Sequence, residues 1–281
     1  MYLQIEVSLP RNKSKTFEEL LYDLFPAGWE TIENEKEVTF IVFLKEEEKE
    51  KIEKIKSEAG KEGKKIKILF IEDKDWNEVW KAGFKPLKVG RRLVIVPPWE
   101  IYNPEEGEVI IIIEPGQAFG TGHHPTTQMM LNNIEKFFEQ RKEKERLKVL
   151  DLGCGTGILG IACAKLYKNI KVLAVDIDKE ALKATNYNAK LNGVSPVVKT
   201  AEEIQETGFD LVVANIGYKE LCKLAELIKN SVKIGGSVFL SGILKEDLDK
   251  LERRYLKLGF KKVYREEKEE WGFLWIEKRV S

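Results

Sequence analysis

Cysteine and histidine are scarce in this 281-residue chain, with three of the first and two of the second. Cys154, Cys163 and Cys222 form an odd set without a Cys-x-x-Cys pair, which argues against a disulfide framework and a zinc ribbon. The histidines, His123 and His124, are adjacent, and no other His or Cys lies close in sequence, so no metal site is expected. Long apolar runs are missing too. Segments 93–98 and 109–113 fall far short of the ~18 residues of a helical membrane span. The N-terminal MYLQIEVSLP alternates like a strand and lacks the basic and apolar regions of a secretory signal. Net charge is absent as well: 47 Lys and Arg balance 47 Asp and Glu, leaving no footprint of a nucleic-acid or acidic-membrane binder. The expectation is a cytoplasmic monomer without direct contact to nucleic acid or membrane.

Composition is that of a globular protein, 43% hydrophobic and 33% charged. At ~150 residues per domain, the length suggests two domains. Residues 1–74 read as strand 3–9, helix 16–25, strands 29–33 and 38–44 around a turn at Asn34, helix 46–59 with Ile52, Ile55 and Ala59 on one stripe, and strand 66–71. That order, βαββαβ, predicts a small α+β, ferredoxin-like domain. It carries no cluster suited to chemistry, so its expected role is contact with a partner. Its charge run at 45–65 is read as a solvated helix face. Residues 75–90 are expected to form a linker and hinge with a short helix, Trp76 and Trp80 being spaced i, i+4 for packing.

From residue 91 to 281 the pattern becomes α/β. Strands at 93–96 and 109–113 precede a glycine-rich turn and a helix starting near Pro125. Alternating strands and helices follow, with strands at 148–152, 171–176, 197–199, 209–215 and 237–240. Continuous apolar strands such as VLDL, VLAVD and DLVVANI suit a sheet covered on both faces. The tail 262–278 reads as an antiparallel pair with Trp271, Phe273 and Trp275 on one face. The predicted architecture is a doubly wound seven-stranded α/β domain of mixed-sheet type.

Asp151-Leu-Gly153-Cys-Gly155-Thr-Gly157 lies between a strand and a helix, where open α/β sheets bind nucleotides. Two frames fit it. Gly155, Gly157 and Gly160 satisfy GxGxxG, with Asp176 placed to grip a ribose, as in a nicotinamide-dependent oxidoreductase. The other frame is D-x-G-x-G-x-G, with an acid at the strand end. A pyrophosphate seeks helix-N-terminal amides without a nearby anion, so a carboxylate at Asp151 disfavours it. S-adenosylmethionine (AdoMet) presents a sulfonium and an ammonium, for which a carboxylate is an asset; the second frame is preferred. Asp176 would accept from both ribose hydroxyls, and Asp178 is read as the cap of the next helix. Asn215 ends strand 209–215 at the carboxyl edge of the sheet. There its amide can orient an amine toward a methyl carbon, although an Asn closing a strand at a turn is the plain alternative. His123 and His124 are read as loop structure and cofactor enclosure before a catalytic base. Cys154 is read as a packing residue before a reactive thiol. Gly116, Gly120 and Gly122 form no P-loop, since no Gly-Lys-Ser/Thr follows.

At these residues the chain resembles the class I AdoMet-dependent methyltransferases and, more narrowly, the family that methylates large-subunit ribosomal protein eleven (PrmA). PGQAFGTGHHPTT at 115–127 is similar to that family's glycine-rich signature, which general class I enzymes lack. VLDLGCGTGILGIA, AVDIDKEAL, VVANI, SGILKEDLDKLE, the linker DWNEVWKAGFKPLKVGRRLVIVPPWE and the tail EEWGFLWIEK also resemble family segments. The resemblance spans nearly the whole chain and is weakest in the N-terminal lobe. It implies an AdoMet site built from Thr127, Gly153, Asp176 and Asn215, an N-terminal lobe that recognises the ribosomal protein, and a linker that repositions it. One departure stands out. After Asn-Ile this chain has Gly217-Tyr218-Lys219-Glu220, where many members carry Leu-Ala-Gly-Pro.

The activity so implied is N-methylation of lysine ε-amines, and of the N-terminal α-amine, of that ribosomal protein. Asp151 and Gly155 join the implied cofactor residues, Asn215 positions the amine, and no metal or base is assigned. A non-catalytic ribosome-assembly factor retaining an AdoMet fold is the further alternative. Charge is divided unevenly: residues 1–75 hold 14 basic and 18 acidic side chains, the remainder 33 and 29. An acidic recognition lobe suits a basic, RNA-binding protein partner.

Overall fold

The computed structural model describes residues 2–14, 17, 20, 21, 24, 29–33, 37–45, 48–60, 65–71, 84–115, 119–141, 145–200 and 204–279. The chain divides into two compact units, Met1–Gly83 and Phe84–Ser281. The predicted helix with Trp76 and Trp80, the turn at Asn34, and Gly116 of the glycine-rich signature lie outside the described residues.

The first unit contains strands β1 (Tyr2–Pro10), β2 (Glu30–Glu33) and β3 (Glu37–Lys45), helix α1 (Lys49–Gly60) and strand β4 (Lys65–Ile71). The strands form an antiparallel sheet in the order β2-β3-β1-β4, the ferredoxin-like arrangement. Strict alternation in β1 turns Leu3, Ile5, Val7 and Leu9 to one face. Ile52, Ile55 and Ala59 of α1 meet that face, as their helical spacing predicts. Phe17, Leu20, Leu21 and Leu24 are helical, and they present an i, i+3, i+4, i+7 stripe to the same core.

The second unit begins inside the stretch expected as a linker. Its strand β5 (Leu87–Val89) pairs antiparallel with β6 (Leu93–Val96), which pairs parallel with β7 (Val109–Ile112) in a separate three-stranded sheet. Helix α2 (Pro125–Glu139) follows. The alternating part comprises β8 (Leu147–Leu152), α3 (Ile158–Leu166), β9 (Ile170–Asp176), α4 (Lys179–Leu191), β10 (Val197–Thr200), β11 (Phe209–Asn215), α5 (Tyr218–Lys223), α6 (Ala225–Ser231), β12 (Val232–Leu244), α7 (Lys245–Lys257), β13 (Phe260–Lys268) and β14 (Trp271–Lys278). Seven strands form one sheet in the order β10-β9-β8-β11-β12-β14-β13. All pairs are parallel except those made by β14, so the sheet is mixed, as read from the sequence.

Side chains alternate between two cores because helices cover both faces. Val149, Leu211, Val213, Phe239, Phe273 and Trp275 enter one, while Leu150, Val212, Ala214, Leu240, Leu274 and Ile276 enter the other. Strand β12 is much longer than the expected 237–240. Gly235, Gly236 and Gly242 read locally as turn residues, yet pairing with β14 carries the strand through an irregularity to Leu244. Strand order reverses between β8 and β11, and the carboxyl ends of β8, β9 and β11 meet at that switch point.

Candidate active site

The β8–α3 loop is pinned from both sides. The Gly153 and Cys154 amides donate to the Val175 carbonyl at 2.9 and 3.0 Å. The Gly155 amide donates to Asp176 Oδ2 at 3.0 Å, and the Asp178 amide donates to Asp176 Oδ1 at 3.0 Å. Two backbone donors thus fix the Asp176 carboxylate at the end of β9, while each oxygen keeps a lone pair for a ligand. Asp178 caps α4 by accepting from the Glu180 amide at 2.9 Å, as its position predicts.

The described part of the glycine-rich signature packs directly on this loop. The Thr156 amide donates to the Phe119 carbonyl at 3.0 Å, and Thr156 Oγ1 donates to the Gly120 carbonyl at 2.6 Å. Gly155 has φ +54°, and a Cβ there would run into the Phe119 carbonyl oxygen. Only glycine allows both that turn and that close approach. Two asparagines that sequence reasoning missed complete the arrangement. Asn188 Oδ1 accepts from the Glu114 amide at 3.0 Å, and its Nδ2 donates to the Thr156 carbonyl at 2.9 Å. Asn192 closes the free edge of β7 by bonding both backbone groups of Ile112.

These segments enclose a cavity of about 520 Å³ lined by Phe119, His124, Thr126, Leu152, Gly153, Gly155, Asp176, Ile177, Asp178, Ala181, Asn215, Ile216, Gly217, Glu220, Leu224, Gly242 and Trp271. The size suits a small-molecule ligand. The walls are mostly apolar, the acidic side chains are Asp176, Asp178 and Glu220, and no Lys or Arg is among these lining residues. Such a surface rejects a pyrophosphate and favours a cationic ligand.

Of the six residues expected at the cofactor, Gly153, Gly155, Asp176 and Asn215 line the cavity; Thr127 and Asp151 do not. Thr127 is fully buried one residue behind Thr126, and its Oγ1 accepts from Asn215 Nδ2 at 3.3 Å. Its hydroxyl thus holds the amide of the cavity-lining asparagine from behind. Asp151 is a correction to the charge argument. The two-residue period of β8 places it on the same face as Val149, under α3, where Oδ2 accepts from the Gly160 amide at 2.8 Å and Oδ1 has no partner. Burial pushes its carboxyl up to about 7, partly opposed by the Gly160 amide. The anionic field at the cavity comes from Asp176, Asp178 and Glu220 instead.

Asn215 supplies the feature that decides how the cavity is read. With Nδ2 committed to Thr127, its Oδ1 is buried and has no partner. A buried acceptor without a donor costs about 1–3 kcal/mol, a cost that a ligand N–H on the cavity side relieves. A model of the family described as ribosomal protein L11 methyltransferase (PrmA) matches residues 3–279. This chain belongs to that family.

Members of the family match it over much of its length. A ribosomal protein L11 methyltransferase from Citrifermentans bemidjiense is 46% identical over 183 residues, which is 64% of this chain and 60% of that protein. One from Caldanaerobacter subterraneus subsp. tengcongensis is 35% identical over 235 residues, 82% of this chain and 74% of that protein. The chain thus spans about 60% of the length of the first curated relatives it matches. Among solved structures, a ribosomal protein L11 methylase from Lactobacillus delbrueckii subsp. bulgaricus superposes with a TM-score of 0.62 at 33% identity, covering 70% of this chain and all of that one.

In this family member both histidines serve the loop. His124 caps α2: its Nδ1 accepts from the Thr126 amide at 3.3 Å and lies 2.7 Å from Thr126 Oγ1. Its ring stands edge-on to Phe119 and Trp271. Burial lowers its pKa, opposed by Glu270 and Glu269, and Nδ1 is occupied. That arrangement encloses the cavity and leaves no free basic nitrogen at Nδ1. His123 is exposed and packs against Phe84. Cys154 is buried with Sγ accepting from Thr185 Oγ1 at 3.2 Å, and burial raises its pKa, which suits packing and not nucleophilic reactivity. Ile177, Leu224 and Trp271 are cavity residues missed in the sequence. Ile177 alone had a local signal, an apolar side chain, 86% exposed, directly after the strand-ending acid.

Proposed function

We propose that this chain is an AdoMet-dependent N-methyltransferase whose acceptors are amines of ribosomal protein L11, its lysine ε-amines first and its N-terminal α-amine second. Family membership supports the reaction class and the acceptor protein. The unpartnered Asn215 Oδ1 in an anionic cavity is the observation that carries the reading at the level of residues. When bound, AdoMet supplies an electrophilic methyl group on a sulfonium. The residues present fit it: Asp176 would hold the ribose hydroxyls, Gly153 and Gly155 would let the ligand approach the loop backbone, and Phe119, Ile177 and Leu152 would provide apolar walls. Asp151 supports the loop from beneath through Gly160.

The acceptor must reach this site as a neutral amine. A lysine with an ordinary pKa of ~10.4 is neutral about 0.1% of the time near pH 7.5, an equilibrium cost of about 4 kcal/mol. Removal from water into a mostly apolar cavity reduces that cost by disfavouring the ammonium. Asn215 Oδ1 accepts one amine N–H and directs the nitrogen lone pair inward. The Thr127 hydroxyl keeps the amide in that orientation. The proton leaves to solvent before transfer, and no side chain is assigned as base.

The test is incubation of the purified protein with labelled AdoMet and purified L11, followed by peptide mapping. Mass increments of 14 Da or multiples on L11 amines are the expected result. AdoMet binding without label transfer would favour the non-catalytic assembly factor, and binding of NAD in preference to AdoMet would restore the oxidoreductase.

A further inference from the structure

We propose that Glu220 is the acceptor-recognition residue of this site, the carboxylate that receives the cationic ammonium of the incoming side chain before Asn215 holds the neutral amine. This rests on the methyltransferase reading above. Three carboxylates line the cavity, and they are not equivalent. Asp176 already accepts from two backbone amides, and Asp178 caps α4 through one. Glu220 sits in the first turn of α5, is exposed, and its carboxylate has no hydrogen-bond or ion-pair partner among the described residues. Its carboxylate folds back toward the strand end: a Cβ at position 217 would lie 2.6 Å from Glu220 Oε2. Gly217 therefore leaves open the space that the carboxylate uses, two residues after Asn215.

Charge and exposure define the role. A carboxylate that held the ammonium tightly would stabilise its charged form and so oppose its deprotonation. Proton abstraction by Glu220 is therefore not its function. An exposed anion at a cavity mouth instead attracts and selects a cationic side chain, acting on capture more than on chemistry. Asn215 Oδ1, buried deeper and uncharged, then receives the amine after its proton has left to water. The acceptor class so defined is a primary amine that arrives charged, in preference to a hydroxyl, amide or carboxylate.

Steady-state kinetics with L11 as the varied substrate test this on the full chain, comparing wild type, Glu220→Gln and Glu220→Asp at low and moderate salt. Glu220→Gln is expected to raise KM for L11 about 3- to 10-fold, change kcat less than about 2-fold, weaken the salt dependence of kcat/KM, and weaken the AdoMet Kd by calorimetry by less than about 2-fold, because Asp176 and Asp178 keep most of the anionic field. Glu220→Asp should recover part of the loss. A wild-type KM in Glu220→Gln, with wild-type AdoMet affinity, overturns the assignment. So does a weakened AdoMet Kd that accounts for the whole effect, because Glu220 would then serve the cofactor. Wild-type protein that transfers no label to L11 refutes the methyltransferase reading, and this inference with it.

Discussion

Replacing Gly155 by alanine should separate the docking of the two glycine-rich segments from the ordinary cost of a left-handed residue. Gly155 has φ +54°, and its added Cβ would collide with the Phe119 carbonyl oxygen. Holding an alanine in that conformation costs ~1–2 kcal/mol. Relieving the collision requires the Phe119 backbone to retreat by about 1 Å to reach ordinary contact distance. That movement breaks the bond from the Thr156 amide to Phe119 and strains the one from Thr156 Oγ1 to Gly120, each worth about 1 kcal/mol. The expected destabilisation is about 3–4 kcal/mol, or a fall in Tm of about 10 °C for a unit of this size. Gly107→Ala is the control, because Gly107 has φ +85° with nothing within 4 Å of an added Cβ, so only the backbone term applies. Its Tm should fall by about 4 °C. Calorimetric titration should show AdoMet affinity reduced at least ~10-fold in Gly155→Ala and unchanged in Gly107→Ala, since Phe119 is a cavity wall. Equal Tm losses in the two variants, or full AdoMet affinity in Gly155→Ala, would refute the argument that this contact shapes the site.

Asp176→Ala should weaken AdoMet binding by about 2–4 kcal/mol, since it removes a charged acceptor and leaves the Gly155 and Asp178 amides unpaired. Asn215→Ala should chiefly lower kcat, by about 10- to 100-fold; calorimetry and label transfer measure the two effects, and identical profiles would remove the distinction. Thr127→Val deletes the acceptor for Asn215 Nδ2, so kcat should fall about 10-fold with little change in AdoMet affinity. For Asp151 the folded pKa, about 7, lies above the ordinary carboxylate value, so the folded state holds its proton more tightly than the unfolded chain. Its contribution favours the fold at low pH and is lost as pH rises from about 4 to about 7, an effect on the order of a few kcal/mol. Thermal melts over that range should show a downward component in wild type that is missing in Asp151→Asn, and parallel curves would contradict the burial argument.

The part of the site legible in sequence is the part made by local chain chemistry. Alternating glycines between an apolar strand and a helix can form only a tight turn, and acids or amides at strand ends fall at the carboxyl edge of a parallel sheet. The placement of Gly153, Gly155, Asp176 and Asn215 at that edge, where they line the cavity, was therefore readable in advance, as was the capping role of Asp178. The orientation of Asp151 was encoded too, since it shares parity with Val149 in β8; the charge argument misplaced it by weighing its proximity to the loop and not the face it occupies. Asn188 and Asn192 gave no local signal. Their partners, Glu114 and Ile112, lie 74 and 80 residues away, just beyond and at the end of β7 in the separate three-stranded sheet.

By itself, the amino-acid order determined the two-unit plan, the parallel core, the nucleotide-type loop and the resemblance to its family, because periodicity and glycine placement act over short stretches of chain. The tertiary structure alone decided which charged groups face the cavity. It turned Asp151 under α3, gathered Asp176, Asp178 and Glu220 around one cavity without a lining cation, and tied Asn215 Nδ2 to Thr127 across 88 residues so that Oδ1 is left unpaired. Burial and hydrogen-bond satisfaction are properties of the packed chain, and no residue carries them before folding.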